Sequence, residues 1–128
     1  MNPRALIIDD SRATRLMLGR QLRGLGFEVV EADSAEAGLL QIDAPQVIDI
    51  ALVDRNMPGI GGIGFIRGVR ARPARAELCV MMVSSETAPE RVMEAFEAGC
   101  DEYLMKPVTA EALQAKLELL GFAWEATG

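Results

Sequence analysis

Short runs of aliphatic residues alternate along the chain with longer stretches in which apolar side chains return every three or four positions. A continuous aliphatic run indicates a strand buried on both faces, and the longer spacing indicates an amphipathic helix. Strict alternation of the two predicts one doubly wound α/β domain, with parallel strands and right-handed crossovers. The five predicted strands cover residues 5–8, 29–30 with their flanks, 48–53, 78–83 and 103–105.

Residues that start or stop helices lie between these strands. The first helix is predicted over residues 12–25, with Gly24 or Gly26 placed to end it. The second helix begins at D-S-A-E, where Asp33 is the expected N-cap and Glu36, three residues later, would complete a capping box. Helical segments are therefore expected to connect successive strands.

The sequence predicts the three later helices with unequal clarity. Pro89 is a favourable first-turn residue for a fourth helix that ends at Gly99, and Thr109 is the expected cap of a fifth. The third helix starts within a glycine-rich stretch, residues 59–68. Because each glycine in a helix interior costs about 0.5 to 1 kcal/mol relative to alanine, we expect a mobile loop and a frayed third helix.

Length and charge restrict the possible functions. At 128 residues the chain fits one domain and is too short for a cofactor domain plus a separate substrate domain. Its formal net charge of -6 opposes binding to a phosphate backbone, so no direct nucleic-acid partner is expected. The arginines of the first helix, among them Arg12 and Arg15, are interpreted as a solvated face.

The chain contains no histidine, which excludes Ser-His-Asp and Cys-His catalysis because no imidazole is available as a base. The two cysteines, Cys79 and Cys100, match neither a metal-ligand spacing nor a C-x-x-C redox motif. The sequence shows no signal-peptide pattern and no apolar run that approaches a membrane span. We therefore expect a cytoplasmic, reduced setting and no membrane partner.

Polar residues follow four of the five predicted strands. Because the carboxyl ends of parallel strands meet at one edge of the sheet, these side chains are expected to converge there. Three carboxylates held close together repel one another, so they should bind protons or attract a cation. Magnesium fits best, because it prefers oxygen ligands and is often held by carboxylates together with a phosphate oxygen. The converging residues are Asp9, Asp10, Asp54, Ser84, Ser85, Lys106 and Pro107.

The same residue types suggest a reaction. With a metal ion neutralising the pocket, one carboxylate could attack a phosphoryl group and hold it as an acyl phosphate. Lys106 would neutralise charge on the phosphoryl oxygens, and the Ser84 hydroxyl could donate a hydrogen bond to one of them. The chemistry is interpreted as phosphoryl acceptance on an aspartate.

Four segments occur in order at matching spacings: I-I-D-D-S-R, A-L-V-D-R-N-M-P-G, M-M-V-S-S-E and E-A-G-C-D-E-Y-L-M-K-P. In these segments the sequence resembles the receiver domains of bacterial two-component response regulators, in particular the chemotaxis-type single-domain regulators. The resemblance covers nearly the whole chain and implies a flavodoxin-like (βα)5 fold with strand order 2-1-3-4-5 and helices on both faces. It implies a receiver domain over residues 1–122 and a short tail over residues 123–128.

The resemblance assigns roles in the pocket residue by residue. Asp54 resembles the phosphorylated aspartate, and Lys106 resembles the lysine that pairs with the phosphate. Asp10 resembles the direct magnesium ligand, and Asp9 its acidic neighbour that acts largely through water. The backbone carbonyl of Asn56 corresponds to a further ligand. The implied cofactor is Mg²⁺.

Three further residues match the family's switch. Ser84 resembles the hydroxyl that moves toward the phosphoryl group, and Tyr103 resembles the aromatic residue whose rotamer follows that movement. Pro107 resembles the family's cis proline. The resemblance implies that phosphorylation reshapes the surface formed by the fourth helix, the fifth strand and the fifth helix, which is a local charge event biasing a two-state element.

The implied partners are proteins. A histidine kinase or a histidine phosphotransfer domain is expected to supply the phosphoryl group, because the chain has no nucleotide-binding apparatus. Nothing after Phe122 is long enough to form an effector domain. The output is therefore expected to be a downstream protein, unless the chain is a piece of a longer regulator.

The sequence departs from the family pattern at two positions. Gly61 stands where receivers often have Asp or Asn, which leaves the third helix without its usual side-chain cap. Ser85 stands beside the switch serine where the family favours Ala or Gly, so its hydroxyl is expected to narrow or hydrate the route to Asp54. This second departure puts the dephosphorylation kinetics in doubt.

The segment G-I-G-G-I-G, residues 59–64, also satisfies the G-x-G-x-x-G pattern of a dinucleotide-binding turn. In such a turn the first glycine stands at the strand end, whereas R-N-M-P intervenes here after Asp54. Glu86 lies roughly where the ribose-binding acid would be expected, but Ser84 and Ser85 occupy the strand end itself. The glycines are therefore not interpreted as a nucleotide site.

Two other classes of function are alternatives to the receiver. A pseudo-receiver that is never phosphorylated could act as a protein-interaction scaffold, but a scaffold has no chemical need for a lysine and three acids in one cleft. A phosphohydrolase with an aspartyl nucleophile would want a second acid two residues after it, where this chain has Asn56. The chain is therefore predicted to be a phosphoacceptor switch without a separate enzymatic output.

Overall fold

The computed structural model describes residues 2–122, in which five strands and five helices alternate. The predicted tail, residues 123–128, lies outside the described residues. A 3-10 turn at Pro73–Arg75, which the sequence pattern did not predict, precedes the fourth strand. The elements are β1 Arg4–Ile8, α1 Arg12–Gly24, β2 Glu28–Ala32, α2 Ala35–Asp43, β3 Ile50–Asp54, α3 Gly61–Arg70, β4 Cys79–Ser84, α4 Pro89–Ala98, β5 Glu102–Met105 and α5 Ala110–Leu119.

The strands form a single parallel sheet in the order β2-β1-β3-β4-β5. This order confirms the predicted doubly wound fold. The register aligns the carboxyl ends of the central strands, because Ile8 pairs with Val53 and Asp54 pairs with Val83. Residues that directly follow these strands therefore lie side by side at one edge of the sheet.

The core forms two layers, one on each face of the sheet. Every residue of β3 is buried, as expected for a strand covered on both faces. One layer contains side chains of α2, α3 and α4, among them Ile42, Phe65 and Ala95. The other contains side chains of α1 and α5, among them Leu18 and Leu117. Burial of these two layers fixes the sheet, and through it the edge at which the polar residues converge.

The start of α2 differs from the prediction by one residue. Ser34, and not Asp33, is the N-cap, and its hydroxyl accepts a hydrogen bond from the Ala37 backbone N–H at 3.0 Å. The Glu36 carboxylate does not complete a capping box but accepts from the backbone N–H of Ile60 at 3.3 Å. Both side chains can cap a helix, and the path of the chain after β2 decides between them. Glu36 consequently links α2 to the start of α3.

Glycines in α3 allow close packing against the end of β3. The helix spans ten residues and, as expected, its N-cap Ile60 makes no side-chain hydrogen bond. A Cβ atom at Gly62 would lie 2.5 Å from the backbone oxygen of Asp54. A side chain at this position would therefore force α3 away from the strand that carries the candidate site. Fraying of α3 stays a prediction for hydrogen exchange.

The remaining helix signals lie where the sequence placed them. Thr109 caps α5 by accepting from the Ala112 backbone N–H at 3.1 Å. Pro89 occupies the first turn of α4, and Gly99 ends that helix in the left-handed conformation with a φ of 117°. No helix within residues 2–122 combines the length and the apolar character needed to cross a bilayer.

Candidate phosphoacceptor site

The carboxyl edge of the sheet gathers the polar residues predicted from the sequence. Asp9 and Asp10 follow β1, Asp54 is the last residue of β3, Ser84 ends β4, and Lys106 follows β5. Carboxylate oxygens of the three aspartates lie within 4.8 Å of one another. The arrangement follows from the register of the sheet, because each group stands at or just beyond a strand end.

The three carboxylates of this acidic pocket differ in burial. Asp9 is 2% exposed and Asp54 is 6% exposed, whereas Asp10 is exposed to solvent. Burial raises the pKa of Asp9, although a hydrogen bond from the Ser11 backbone N–H, at 2.8 Å, acts in the opposite direction. The nearby Asp54 charge raises this pKa further. The pocket therefore concentrates negative charge, and the hydrogen bond to Asp9 offsets only part of it.

Lys106 is the cation of the acidic pocket. Its Nζ atom donates to Oδ1 of Asp54 at 3.2 Å and lies 3.8 Å from Oδ2 of Asp9. The backbone N–H of Asn56 makes a second, longer contact with Asp54 Oδ1 at 3.5 Å. The Lys106–Pro107 peptide bond is cis. The single positive charge of Lys106 thus faces two buried carboxylates, so these three groups together carry a net negative charge when both carboxylates are ionised.

A buried carboxylate oxygen that accepts no hydrogen bond tests whether the pocket suits a metal ion. Oδ2 of Asp9 is buried and accepts no hydrogen bond within the described part of the chain. A buried carboxylate oxygen without a hydrogen bond is costly, and a divalent cation or one of its bound waters would satisfy it. Asp10 and Asp54 offer further oxygens within the same 4.8 Å cluster. An all-oxygen set of this kind fits Mg²⁺.

Ser84 and Tyr103 are joined through the loop between β4 and α4. The Ser84 side chain is fully buried, and its Oγ accepts from the Glu86 backbone N–H at 3.0 Å. The Tyr103 hydroxyl donates to the backbone oxygen of the same Glu86 at 3.2 Å. The Glu86 carboxylate accepts from the Ala88 backbone N–H at 3.1 Å. Ser85, by contrast, is exposed. One residue, Glu86, therefore connects the pocket hydroxyl with the tyrosine.

Sequence reasoning missed two arginines that pack around the site. Arg15 was interpreted as part of a solvated face, but its Nη1 donates to the backbone oxygen of Asp9 at 2.6 Å and its Nε pairs with Glu31 at 3.1 Å. Arg12 is exposed, as expected. Arg55 directly follows Asp54 and is 6% exposed. Its position beside the strand end was visible in the sequence, but a lone arginine gives no signal of burial.

The fold and the acidic pocket together define the class of protein. A doubly wound sheet of this strand order places its functional site beyond the carboxyl ends of the central strands. Here that location holds carboxylates, a hydroxyl and a lysine, and a four-residue segment separates it from the glycines of residues 59–64. The molecule is thus a flavodoxin-like domain with an acidic pocket suited to a cation. The end of β3 does not carry a dinucleotide-binding turn.

A family model for the response regulator receiver domain matches residues 5–118. The chain belongs to the response regulator receiver family. It is 38% identical over 114 residues to the chemotaxis protein CheY of Pseudomonas aeruginosa, covering 88% of this chain and 91% of that protein. It is 36% identical over 118 residues to the chemotaxis protein CheY-3 of Vibrio cholerae, covering 91% and 90% respectively.

Solved structures agree with this assignment. The chemotaxis response regulator CheY4 of Vibrio cholerae superimposes with a TM-score of 0.88 at 28% identity, covering 94% of this chain and 99% of that chain. A putative response regulator from Chloroflexus aurantiacus gives a TM-score of 0.87 at 32% identity, covering 95% and 100%. The fold and the family predicted from the sequence are both confirmed.

Proposed function

We propose that the chain is a phosphorylation-switched receiver in which Asp54 accepts a phosphoryl group. The observation that carries this proposal is the buried carboxylate of Asp54, bonded to Lys106 Nζ at 3.2 Å beside two further carboxylates. A lysine in contact with a buried aspartate provides a positive charge where phosphoryl oxygens would gather. Membership of the receiver family supports the same role.

The transfer is a substitution at phosphorus. A carboxylate oxygen of Asp54 forms a bond to the phosphorus of a phosphohistidine, and the phosphorus–nitrogen bond of that donor breaks. The imidazole of the donor leaves with the electron pair and takes a proton from solvent. Lys106 moves its contact from the carboxylate to a phosphoryl oxygen and offsets part of the added charge. The phosphodonor is a histidine kinase or a histidine phosphotransfer protein.

Asp9, Asp10, Asp54 and the backbone carbonyl of Asn56 would hold Mg²⁺. The ion supplies charge neutralisation, so that an anionic nucleophile and an anionic phosphoryl group can approach each other. The buried Oδ2 of Asp9, which accepts no hydrogen bond within the described residues, supports this ligand set. We assign the direct contact from the β1 end to Asp10, with Asp9 acting largely through water.

The switch runs through Ser84 and Tyr103. When the Ser84 hydroxyl turns to donate to the phosphoryl group, its hydrogen bond from the Glu86 N–H is weakened. The loop that holds the Tyr103 hydroxyl then shifts, and the tyrosine is freed to change rotamer. This movement alters the α4-β5-α5 face, which carries Phe96 and Met105 at 39% and 41% exposure. A downstream protein is the proposed partner of that face.

Two further features bear on the biological setting. The relatives named as chemotaxis proteins support a signalling role of the chemotaxis type. Both cysteines are free thiols, in keeping with the reducing cytoplasm in which we place the protein. Ser85 is exposed beside the pocket, and we propose that its hydroxyl modulates access of water to the acyl phosphate.

Intact mass spectrometry tests the proposal directly. Wild type, Asp54→Asn and a control, Asp33→Asn, are incubated with acetyl phosphate in Mg²⁺ or in EDTA. Asp33 is an exposed aspartate outside the pocket, so its substitution makes the same chemical change elsewhere. We expect one phosphoryl adduct in wild type and Asp33→Asn, lost in EDTA and lost in Asp54→Asn. No adduct in wild type, while another receiver is modified in parallel, would favour the scaffold function instead.

A further inference from the structure

Arg55 is a buried cation that contacts α4 from the end of β3. Its side chain is 3% exposed, and it directly follows Asp54. Nη1 donates to the backbone oxygen of Arg91 at 2.6 Å, and Nη2 pairs with Oε1 of Glu94 at 3.0 Å. Both acceptors belong to α4. The residue next to the proposed phosphoacceptor is thus bonded to the first two turns of that helix.

The rest of α4 has a small buried contact with the core. Of its ten residues only Ala95 is buried, and its N-cap, Ala88, makes no side-chain hydrogen bond. Hydrophobic burial stabilises a surface helix in proportion to the apolar area removed from water, and in α4 that area comes from Ala95 together with the partly buried Val92 and Ala98. Hydrogen bonds to a charged group are among the stronger ones, so the two from the buried Arg55 add substantially to this apolar contact in fixing α4.

The backbone around Arg55 is itself fixed. Its N–H donates to the backbone oxygen of Val83 at 3.1 Å, and its carbonyl accepts from the Gly62 N–H at 3.2 Å. The guanidinium therefore projects from a rigid point between β4 and α3. A buried guanidinium needs its partners in place, because an unpaired charge in this environment is costly. Only a narrow range of α4 positions satisfies both donors.

The helix that Arg55 holds also carries exposed apolar side chains. Met93 is 56% exposed and Phe96 is 39% exposed. The Phe96 ring lies 6.5 Å, centroid to centroid, from the ring of Tyr103. Displacement of α4 would move this apolar surface and its contact with the tyrosine. The position of the helix is therefore a property to which a partner would respond.

We propose that Arg55 is a positioning residue that locks α4 in its resting place, so that its bonds to Arg91 and Glu94 determine the shape of the α4-β5-α5 face in the unphosphorylated protein. The importance of that face rests on the proposed function, whereas the lock itself does not. Loss of the lock lets α4 leave its resting position without phosphorylation. Phosphorylation is then expected to change the position of α4 less in such a variant than in wild type.

Hydrogen exchange of the unphosphorylated protein tests the lock. The variants are Arg55→Met, Glu94→Ala, Glu94→Gln and the double variant Arg55→Met/Glu94→Ala, with Glu97→Gln as the control on the same helix. Glu97 is exposed. The guanidinium of Arg55 donates to Arg91 and Glu94, and not to Glu97. We expect exchange over residues 88–99 to rise about tenfold in Arg55→Met and Glu94→Ala, because charge-assisted hydrogen bonds are lost.

The remaining variants give the mechanism. Glu94→Gln keeps an acceptor oxygen without the charge, so it should lie between wild type and Glu94→Ala, and Glu97→Gln should match wild type. The double variant should exchange no faster than Arg55→Met alone, because the two residues act through one contact. Unchanged exchange in α4, or an equal rise in every segment of the chain, would overturn the lock.

A second measurement separates positioning from simple stabilisation. Each protein is treated with acetyl phosphate and Mg²⁺, and its phosphoryl content is followed by intact mass while α4 exchange is recorded. In wild type we expect phosphorylation to raise α4 exchange, and in Arg55→Met the rise should be at least halved. An equal rise in both would refute the positioning role. If wild type forms no adduct, the proposed function fails, and the unphosphorylated series alone decides on the lock.

Discussion

The close approach of α3 to β3 makes Gly62→Ala a quantitative test of the structure. The new Cβ would lie 2.5 Å from the Asp54 backbone oxygen and 2.9 Å from the Arg55 Cα atom. Both neighbours are backbone atoms, so neither can rotate away as the end of a side chain would. The helix or the strand end must shift, and overpacking of this kind costs typically about 1–3 kcal/mol.

An opposing term reduces this cost. Replacing a helical glycine by alanine stabilises the helix by about 0.5–1 kcal/mol through backbone entropy. Because the contact is with backbone, we expect the cost near the upper end of its range and a net loss of about 1–2 kcal/mol for Gly62→Ala. Gly24→Ala is the matched control: it ends α1, and a Cβ there meets nothing within 4 Å. That variant should be unchanged or slightly stabilised.

Urea unfolding measures both effects. With a slope of about 1–3 kcal/mol/M for a domain of this size, Gly62→Ala should lower the midpoint by roughly 0.3–2 M while the slope is unchanged. The phosphorylation rate should also fall, because the shift displaces the backbone of Asp54. A midpoint for Gly62→Ala at or above that of wild type would refute the close approach. A similar loss in Gly24→Ala would show that the effect is not specific to this contact.

Three further predictions concern other contacts of the fold. Arg70→Lys should lower the free energy of unfolding by about 2 kcal/mol in urea, because lysine cannot replace the guanidinium hydrogen bonds to the backbone oxygens of Gly99 (2.7 Å) and Leu78 (2.6 Å); an unchanged midpoint would contradict this. Burial raises the pKa of both Cys79 and Cys100 from 9.0 to about 11, so at pH 8 iodoacetamide should alkylate the folded protein about a hundredfold more slowly than the unfolded chain, and equal rates would disprove the assigned burial. Glu36→Ala removes the acceptor for the Ile60 N–H and should speed amide exchange over residues 59–64, whereas Glu36→Gln should not; strong protection of that segment in all three proteins would also contradict the predicted fraying of α3.

The strands and the candidate pocket could be predicted because main-chain topology places them. The aliphatic runs predicted the carboxyl ends of the strands to within two residues. The third strand, β3, ends at Asp54 itself. Once the sheet is parallel, a residue that follows a strand has only one edge on which to lie. Asp9, Ser84 and Lys106 come together for this reason, without any need to know their side-chain conformations.

Features that depend on tertiary packing could not be predicted as well from the sequence. Asp33 and Ser34 are both good N-caps in adjacent positions, and the direction of the chain after β2, a tertiary property, selects Ser34. Gly62 was predicted to weaken α3, whereas its small size also allows the helix to contact the Asp54 backbone. The propensity scale describes an isolated helix and contains no information about the neighbouring strand.

Long cationic side chains mark the limit of prediction from sequence. Arg15 and Arg55 each reach a backbone oxygen, on Asp9 and Arg91 respectively, at 2.6 Å. A guanidinium can reach several neighbouring elements from one Cα position, so its partner depends on the assembled fold and not on local pattern. The proposed lock belongs to this group of contacts. The positions of the pocket residues therefore follow from the strand ends, whereas the proposed lock on α4 depends on the partners that one buried arginine, Arg55, finds in the assembled fold.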